Sequence, residues 1–121
     1  MKKRILVIDD APNIVDLVQT VLEQEGYEVI AATDGRSALE QIMRMVPDLI
    51  LLDLSMPVMN GYEFIEQFRQ RDQQNWSISI ILLTAHKLAQ DEIERLGVVS
   101  YLQKPFRWKE LLHKISGLLS N

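Results

Sequence analysis

The sequence predicts a doubly wound α/β domain built on a five-stranded parallel sheet, and three observations predict it. Short apolar runs suited to strands buried on both faces occur at residues 5–8, 49–52 and 78–83, with "YEVIAA" and "SYLQK" as shorter candidates. Between these runs lie segments whose apolar residues recur at helical spacing. Strand and helix therefore alternate, and parallel strands need crossover connections that cover both faces of the sheet, giving a three-layer sandwich.

Each element carries its own signals. The first strand, "ILVI", runs into Asp9 and Asp10, and Pro12 marks the start of the first helix, where its missing N–H costs nothing. Ile14, Val18, Val21 and Leu22 form the apolar stripe of that helix, and Gly26 follows its end. After the second strand, Asp34-Gly35 opens a helix carrying Ala38, Leu39, Ile42 and Met43, and Pro47 precedes the third strand. Phe64, Ile65 and Phe68 define a third helix that Tyr62 begins. Between the fourth and fifth strands the pattern is weaker, with Leu88, Ile93 and Leu96 allowing a short helix. Leu111, Leu112, Ile115, Leu118 and Leu119 form the last one.

Composition narrows the class. At 121 residues, 47% hydrophobic and 25% charged, the chain has the size of one ordinary domain with a single sizeable core. We expect residues 1–121 to form that one domain, with no attached output domain. The sequence contains no cysteine, which removes disulfides and thiol chemistry and suits a reducing compartment, so a cytoplasmic location is expected. "KKR" precedes an apolar run that "DD" interrupts after four residues, too short for a signal-peptide core or a membrane span. A net charge of -4 with no basic run beyond Arg4 argues against direct nucleic-acid binding.

In open α/β sheets ligands bind beyond the carboxyl ends of the strands, where the winding reverses. Asp9 and Asp10 follow the first strand, Asp53 the third, Thr84 the fourth and Lys104 the fifth. With the flavodoxin-like order 2-1-3-4-5, the first and third strands lie about 4.8 Å apart and three carboxylates converge. Such a cluster is costly unless a cation neutralises it or some of its groups are protonated, and an all-oxygen site that leaves room for water and phosphate suits Mg²⁺, with Mn²⁺ as the alternative ion. Blander readings stand beside this one. Asp9 and Asp10 could cap the helix at Pro12, Asp53 could start a loop, Thr84 could be structural, and Lys104 could be a surface charge.

Taken together, "VIDD", "LLDLSMPVMNGYEF", "ILLTAH" and "SYLQKPF" resemble the receiver domain of two-component response regulators, in the family's order and over essentially the whole chain. The single-domain, chemotaxis-Y-like type is the nearest form. The resemblance implies that Asp53 accepts a phosphoryl group from a phosphohistidine on a sensor histidine kinase or histidine phosphotransfer protein. It makes Asp10 a direct Mg²⁺ ligand and Asp9 a ligand through water, with Asp53 and the backbone carbonyl of Ser55 completing the protein donors. Thr84 and Lys104 match positions that contact phosphoryl oxygens, and Lys104-Pro105 matches a cis peptide bond. Thr84 and Tyr101 match a switch pair that alters the face of the fourth helix, fifth strand and fifth helix, where a downstream protein partner docks; an ordinary half-buried aromatic is the other reading of Tyr101. Ser55 and His86 match positions that modulate phosphoryl lifetime, whereas His113 has no role implied. The family acts as a phosphoacceptor with assisted self-dephosphorylation, not as a turnover enzyme on an external substrate.

Two features depart from the family pattern. The interval from Thr84 to Lys104 is a couple of residues short, and the shortening falls before Gly97. Then "VVSY" places Val98 and Val99 where acidic or small residues are common, to pack in the core or to build a partner surface. Two other classes are weaker. An aspartate-nucleophile phosphatase expects a second acid where Ser55 stands, and a nucleotide site expects a Gly-rich loop after the first strand. A binding domain that keeps the fold without phosphorylation is disfavoured by the complete set of acids, threonine and lysine.

Overall fold

The computed structural model describes residues 2–54, 60–71 and 78–119. Ten elements alternate along the chain: β1 (Arg4–Ile8), α1 (Pro12–Gln24), β2 (Glu28–Ala32), α2 (Gly35–Arg44), β3 (Leu49–Asp53), α3 (Gly61–Arg71), β4 (Ser79–Thr84), α4 (Gln90–Leu96), β5 (Ser100–Gln103) and α5 (Trp108–Leu119). The five strands pair in parallel in the order β2-β1-β3-β4-β5, as the alternation of elements predicts.

Alternation of side chains along each strand divides the core in two. Leu6, Ile8, Ile50, Leu52, Ile80 and Leu82 face one way and pack with Leu39 and Ile42 of α2 and Phe64 and Phe68 of α3. Ile5, Val7, Leu49, Leu51, Ile81 and Leu83 face the other way, against Val18 and Leu22 of α1 and Leu111 and Ile115 of α5. Because both faces of the central strands are covered, their sequences read as unbroken apolar runs and not as alternating ones. Phe64 and Phe68, one helical turn apart, stack with ring centroids 5.8 Å apart.

Helix starts follow local chemistry. Asp34 accepts a hydrogen bond from Ser37 N–H at 2.7 Å and so caps α2. Asn60 and Glu63 form a reciprocal capping box: the Asn60 amide oxygen accepts from Glu63 N–H at 2.9 Å, and the Glu63 carboxylate accepts from Asn60 N–H at 3.2 Å. The third helix thus begins at Gly61, one residue before Tyr62, because the cap lies at Asn60. Helix α4 has only half of such a box. Glu92 accepts from Ala89 N–H at 3.4 Å, but alanine offers no side-chain acceptor in return.

The weak pattern between Thr84 and β5 is explained by α4 itself. It has seven residues, none of them buried, and Ile93 and Leu96 only partly pack on the core. Leu88 is buried but lies in the connection before the helix, which is why helical spacing fitted that segment poorly. Val98 and Val99 separate: Val98 joins the core, as the packing expectation for "VVSY" has it, and Val99 is exposed.

Candidate functional site

The site lies at the carboxyl ends of the strands, where β1 pairs with β2 on one side and β3 on the other. Ile8 is in register with Leu52, so the next residues along, Asp9 and Asp53, emerge side by side. Carboxylate oxygens of Asp9, Asp10 and Asp53 come within 4.8 Å of one another. Asp9 and Asp53 are buried, at 1% and 5% exposure, whereas Asp10 faces solvent.

Local backbone and distant charge both hold these groups. Asp9 Oδ1 accepts from Ala11 N–H at 3.0 Å, bracing the turn into α1, and its Oδ2 lies 3.2 Å from Lys104 Nζ. Asp9 thus serves the turn ahead of α1 through one oxygen and meets Lys104 through the other, while α1 itself has no side-chain N-cap. Lys104 Nζ also lies 3.8 Å from Asp53 Oδ1. One ammonium thus bridges carboxylates from two strands, and its reach is fixed by Lys104 N–H donating to Thr84 C=O at 2.7 Å. The Lys104-Pro105 bond is cis, as the resemblance implies.

Thr84 is buried, and its hydroxyl oxygen accepts from His86 N–H at 3.1 Å. His86 is exposed and borders a cavity of about 260 Å³ that Asp53, Tyr62, Thr84, Leu88 and Lys104 also line. Asp53 therefore meets open space between α3 and the connection after β4. Tyr101 is half-buried and packs against the α2–α3–α4 side of the sheet, and His113 is exposed on α5. Ser55, whose carbonyl the resemblance assigns to the metal, lies outside the described residues, as do Met56 and Pro57.

Gly61 carries more of the site than its turn-like sequence suggests. A Cβ there would stand 2.7 Å from Leu54 Cα and 2.9 Å from Asp53 O, so the start of α3 lies directly on the backbone of the central acid. Gly61 N–H donates to Leu54 C=O at 2.9 Å, which fastens the two together. In the sequence Gly61 reads only as the glycine of an Asn-Gly turn ahead of the third helix.

Three acids and one ammonium leave the cluster with a formal charge of about -2, a strong attraction for a hard divalent cation. The donor set fits such an ion: all are carboxylate oxygens, and exposed Asp10 leaves it open to water and to a phosphate ligand. Asp9, Asp10 and Asp53 are the residues that would hold it, and among the described residues they are the one group of this kind.

An acid cluster with a bridging lysine, at the reversal point of a 2-1-3-4-5 parallel sheet, defines a class of α/β domain whose donor set suits a hard cation. The chain belongs to the response regulator receiver domain family, whose description matches residues 5–116. It is 40% identical over 121 residues to the alkaline phosphatase synthesis transcriptional regulatory protein PhoP of Bacillus subtilis, covering 98% of this chain and 49% of that one. It is 41% identical over 118 residues to the DNA-binding dual master transcriptional regulator RpaA of Synechocystis, covering 96% and 48%. The chain thus spans about half the length of the curated relatives it matches. Among solved structures, the chemotaxis protein CheY4 of Vibrio cholerae superposes with a TM-score of 0.90 at 32% identity, covering 98% of this chain and 100% of that one. The response regulator TrrA of Thermotoga maritima, in complex with Mg²⁺ and BeF, gives 0.83 at 37% identity, covering 97% and 99%. No helix among the described residues is long and apolar enough to cross a membrane.

Proposed function

We propose that Asp53 is the phosphoacceptor of a two-component relay and that phosphorylation there switches a protein-docking face. The observation that carries this reading is the convergence on Asp53. Its carboxylate lies within 4.8 Å of the Asp9 and Asp10 oxygens and 3.8 Å from Lys104 Nζ, and it opens onto a cavity that can admit a donor group.

In the transfer, an Asp53 oxygen attacks the phosphorus of a phosphohistidine on a sensor histidine kinase or phosphotransfer protein. The O–P bond forms as the N–P bond breaks, and the imidazole leaves with its electron pair. Lys104 offsets charge on the transferring oxygens, and Thr84 offers its hydroxyl proton to one of them once it turns from His86 N–H. Asp9, Asp10 and Asp53 would hold Mg²⁺, which would supply positive charge to screen the acids and the incoming phosphoryl group; Mn²⁺ would suit the same donors. Following the resemblance, Asp10 would hold the ion directly and Asp9, whose oxygens already meet Lys104 and Ala11 N–H, would do so through water. The resemblance makes the Ser55 carbonyl a further donor to the ion, and Ser55 and His86 match positions that tune the life of the phosphoryl group.

The output runs through Thr84 and Tyr101 to the face of α4, β5 and α5, where a downstream protein docks. Direct contact with nucleic acid and membrane insertion have no part in this reading, and the place of action is the cytoplasm. The chain works as an acceptor that loses its own phosphoryl group to water, not as an enzyme turning over an external substrate. Intact-mass measurement after acetyl phosphate and Mg²⁺ tests it: the parent should gain one phosphoryl group, and Asp53→Asn should gain none. An adduct that persists in Asp53→Asn would overturn the assignment.

A further inference from the structure

Helix α4 should be a poor helix. It is two turns long, buries no residue completely, has no side-chain N-cap and sets only Ile93 and Leu96, each partly buried, against the core. Something outside its own sequence has to hold it, and that group stands at its C-terminal end. Arg69, in the last turn of α3, donates from Nη2 to Gly97 C=O at 2.8 Å and to Leu96 C=O at 3.3 Å. These are carbonyls that no later turn of helix can satisfy, and they form the negative end of the helix dipole, so a guanidinium is well matched to them.

Gly97 makes room for this contact in two ways. It adopts φ +69°, which closes α4 with its N–H on the carbonyls of Ile93 and Glu94. A Cβ there would stand 2.9 Å from Arg69 Nη2. Among the described residues, the side-chain hydrogen bonds that reach this helix from another element fall at its C-terminal end. At the other end it is joined through residues 85–89 to Thr84, and beyond Gly97 it leads through Val98 and Val99 into β5 and Tyr101.

We propose that Arg69 is a positioning residue that latches the C-terminal end of α4 to α3, so that its bonds to Leu96 and Gly97 set how readily the domain leaves its unphosphorylated state. The latch closes the one segment that lies between Thr84 and Tyr101. Any repacking of α4 that accompanies a change at either residue has to break or re-form the guanidinium bonds. Weakening them favours the switched state and tightens binding of a phosphoryl mimic at Asp53, although Arg69 touches neither the acids nor the mimic. This rests on the phosphoacceptor reading for its consequence, but not for the latch itself.

The test uses Arg69→Gln, Arg69→Lys and the parent. Amide hydrogen exchange without any ligand should show α4 and the amides of residues 97–99 exchanging about fivefold faster in Arg69→Gln, with β1 and α1 unchanged. Beryllofluoride with Mg²⁺ should half-saturate Arg69→Gln at about one fifth of the parent's concentration, and Arg69→Lys should fall between the two. Unchanged α4 exchange overturns the latch, and faster exchange with unaltered half-saturation overturns its control of the switch. Should the parent fail to take up beryllofluoride through Asp53, the phosphoacceptor reading and with it the control of the switch fall, while the exchange result still decides the latch. Gly97→Ala, which presses on Arg69 from the other side, should reproduce the α4 loosening; full protection in that variant counts against the geometry.

Discussion

Asp9 shows how one side chain serves two ends. Its carboxylate braces the turn into α1 with one oxygen and meets Lys104 with the other, while only 1% of the residue remains exposed. A buried carboxylate held by a single ammonium is sensitive to loss of that partner, because the remaining charge keeps its desolvation cost and gains nothing in return. Lys104→Met should therefore destabilise the cation-free protein by about 1–3 kcal/mol; the lower end reflects a lysine side chain that is 29% exposed. Added Mg²⁺ should recover part of that loss. Urea unfolding with and without the ion measures both, and an unchanged midpoint in the cation-free protein would mean that Lys104 is an ordinary surface charge.

At the scale of an element, two glycines in helices predict opposite responses to the same change. Alanine is a better helix former than glycine by about 0.5–1 kcal/mol, so Gly→Ala should stabilise wherever a methyl group fits. At Gly117 in α5 nothing lies within 4 Å of the added Cβ, and Gly117→Ala should raise stability by about that amount. At Gly61 the methyl group meets the backbone of Asp53 and Leu54 at 2.7–2.9 Å, which no rotamer change can relieve. Overpacking of about 1–3 kcal/mol then outweighs the propensity gain, and Gly61→Ala should be destabilised. Because the displaced atoms include the carbonyl of Asp53, its phosphoryl uptake from acetyl phosphate should also slow, whereas Gly117→Ala keeps the parent's rate. Thermal melts paired with intact-mass time courses separate the two variants.

Across the whole molecule, the sheet works as a frame that forces like charges together. Burial of both faces of β1 and β3 stabilises the pairing that places Asp9 and Asp53 side by side, and the repulsion that results is stored until a cation relieves it. Mg²⁺ at a hundredfold excess over its dissociation constant should stabilise the fold by about 2.7 kcal/mol, a rise in Tm of about 10 °C for a domain of this size. Asp10→Ala should melt higher than the parent in chelator, since one of three repelling charges is gone, and should lose most of the Mg²⁺ gain. A gain that survives undiminished in Asp10→Ala would remove Asp10 from the ion.

Sequence alone determined the succession of strands and helices, the parallel sheet and the set of acids, threonine and lysine at its carboxyl edge. Those features are carried by short-range signals: unbroken apolar runs, helical spacing, and boundary residues such as Pro12 and Asp34. Tertiary structure decided the rest. That Lys104 bridges Asp9 and Asp53, that Gly61 rests on the backbone of Leu54, and that Arg69 reaches the end of α4 are contacts between residues 7 to 95 positions apart. No local pattern specifies such pairs, because their distances are set by how the layers pack. The faint signal of α4 has a simpler reason: a seven-residue helix whose Ile93 and Leu96 are only partly buried leaves little periodicity to read.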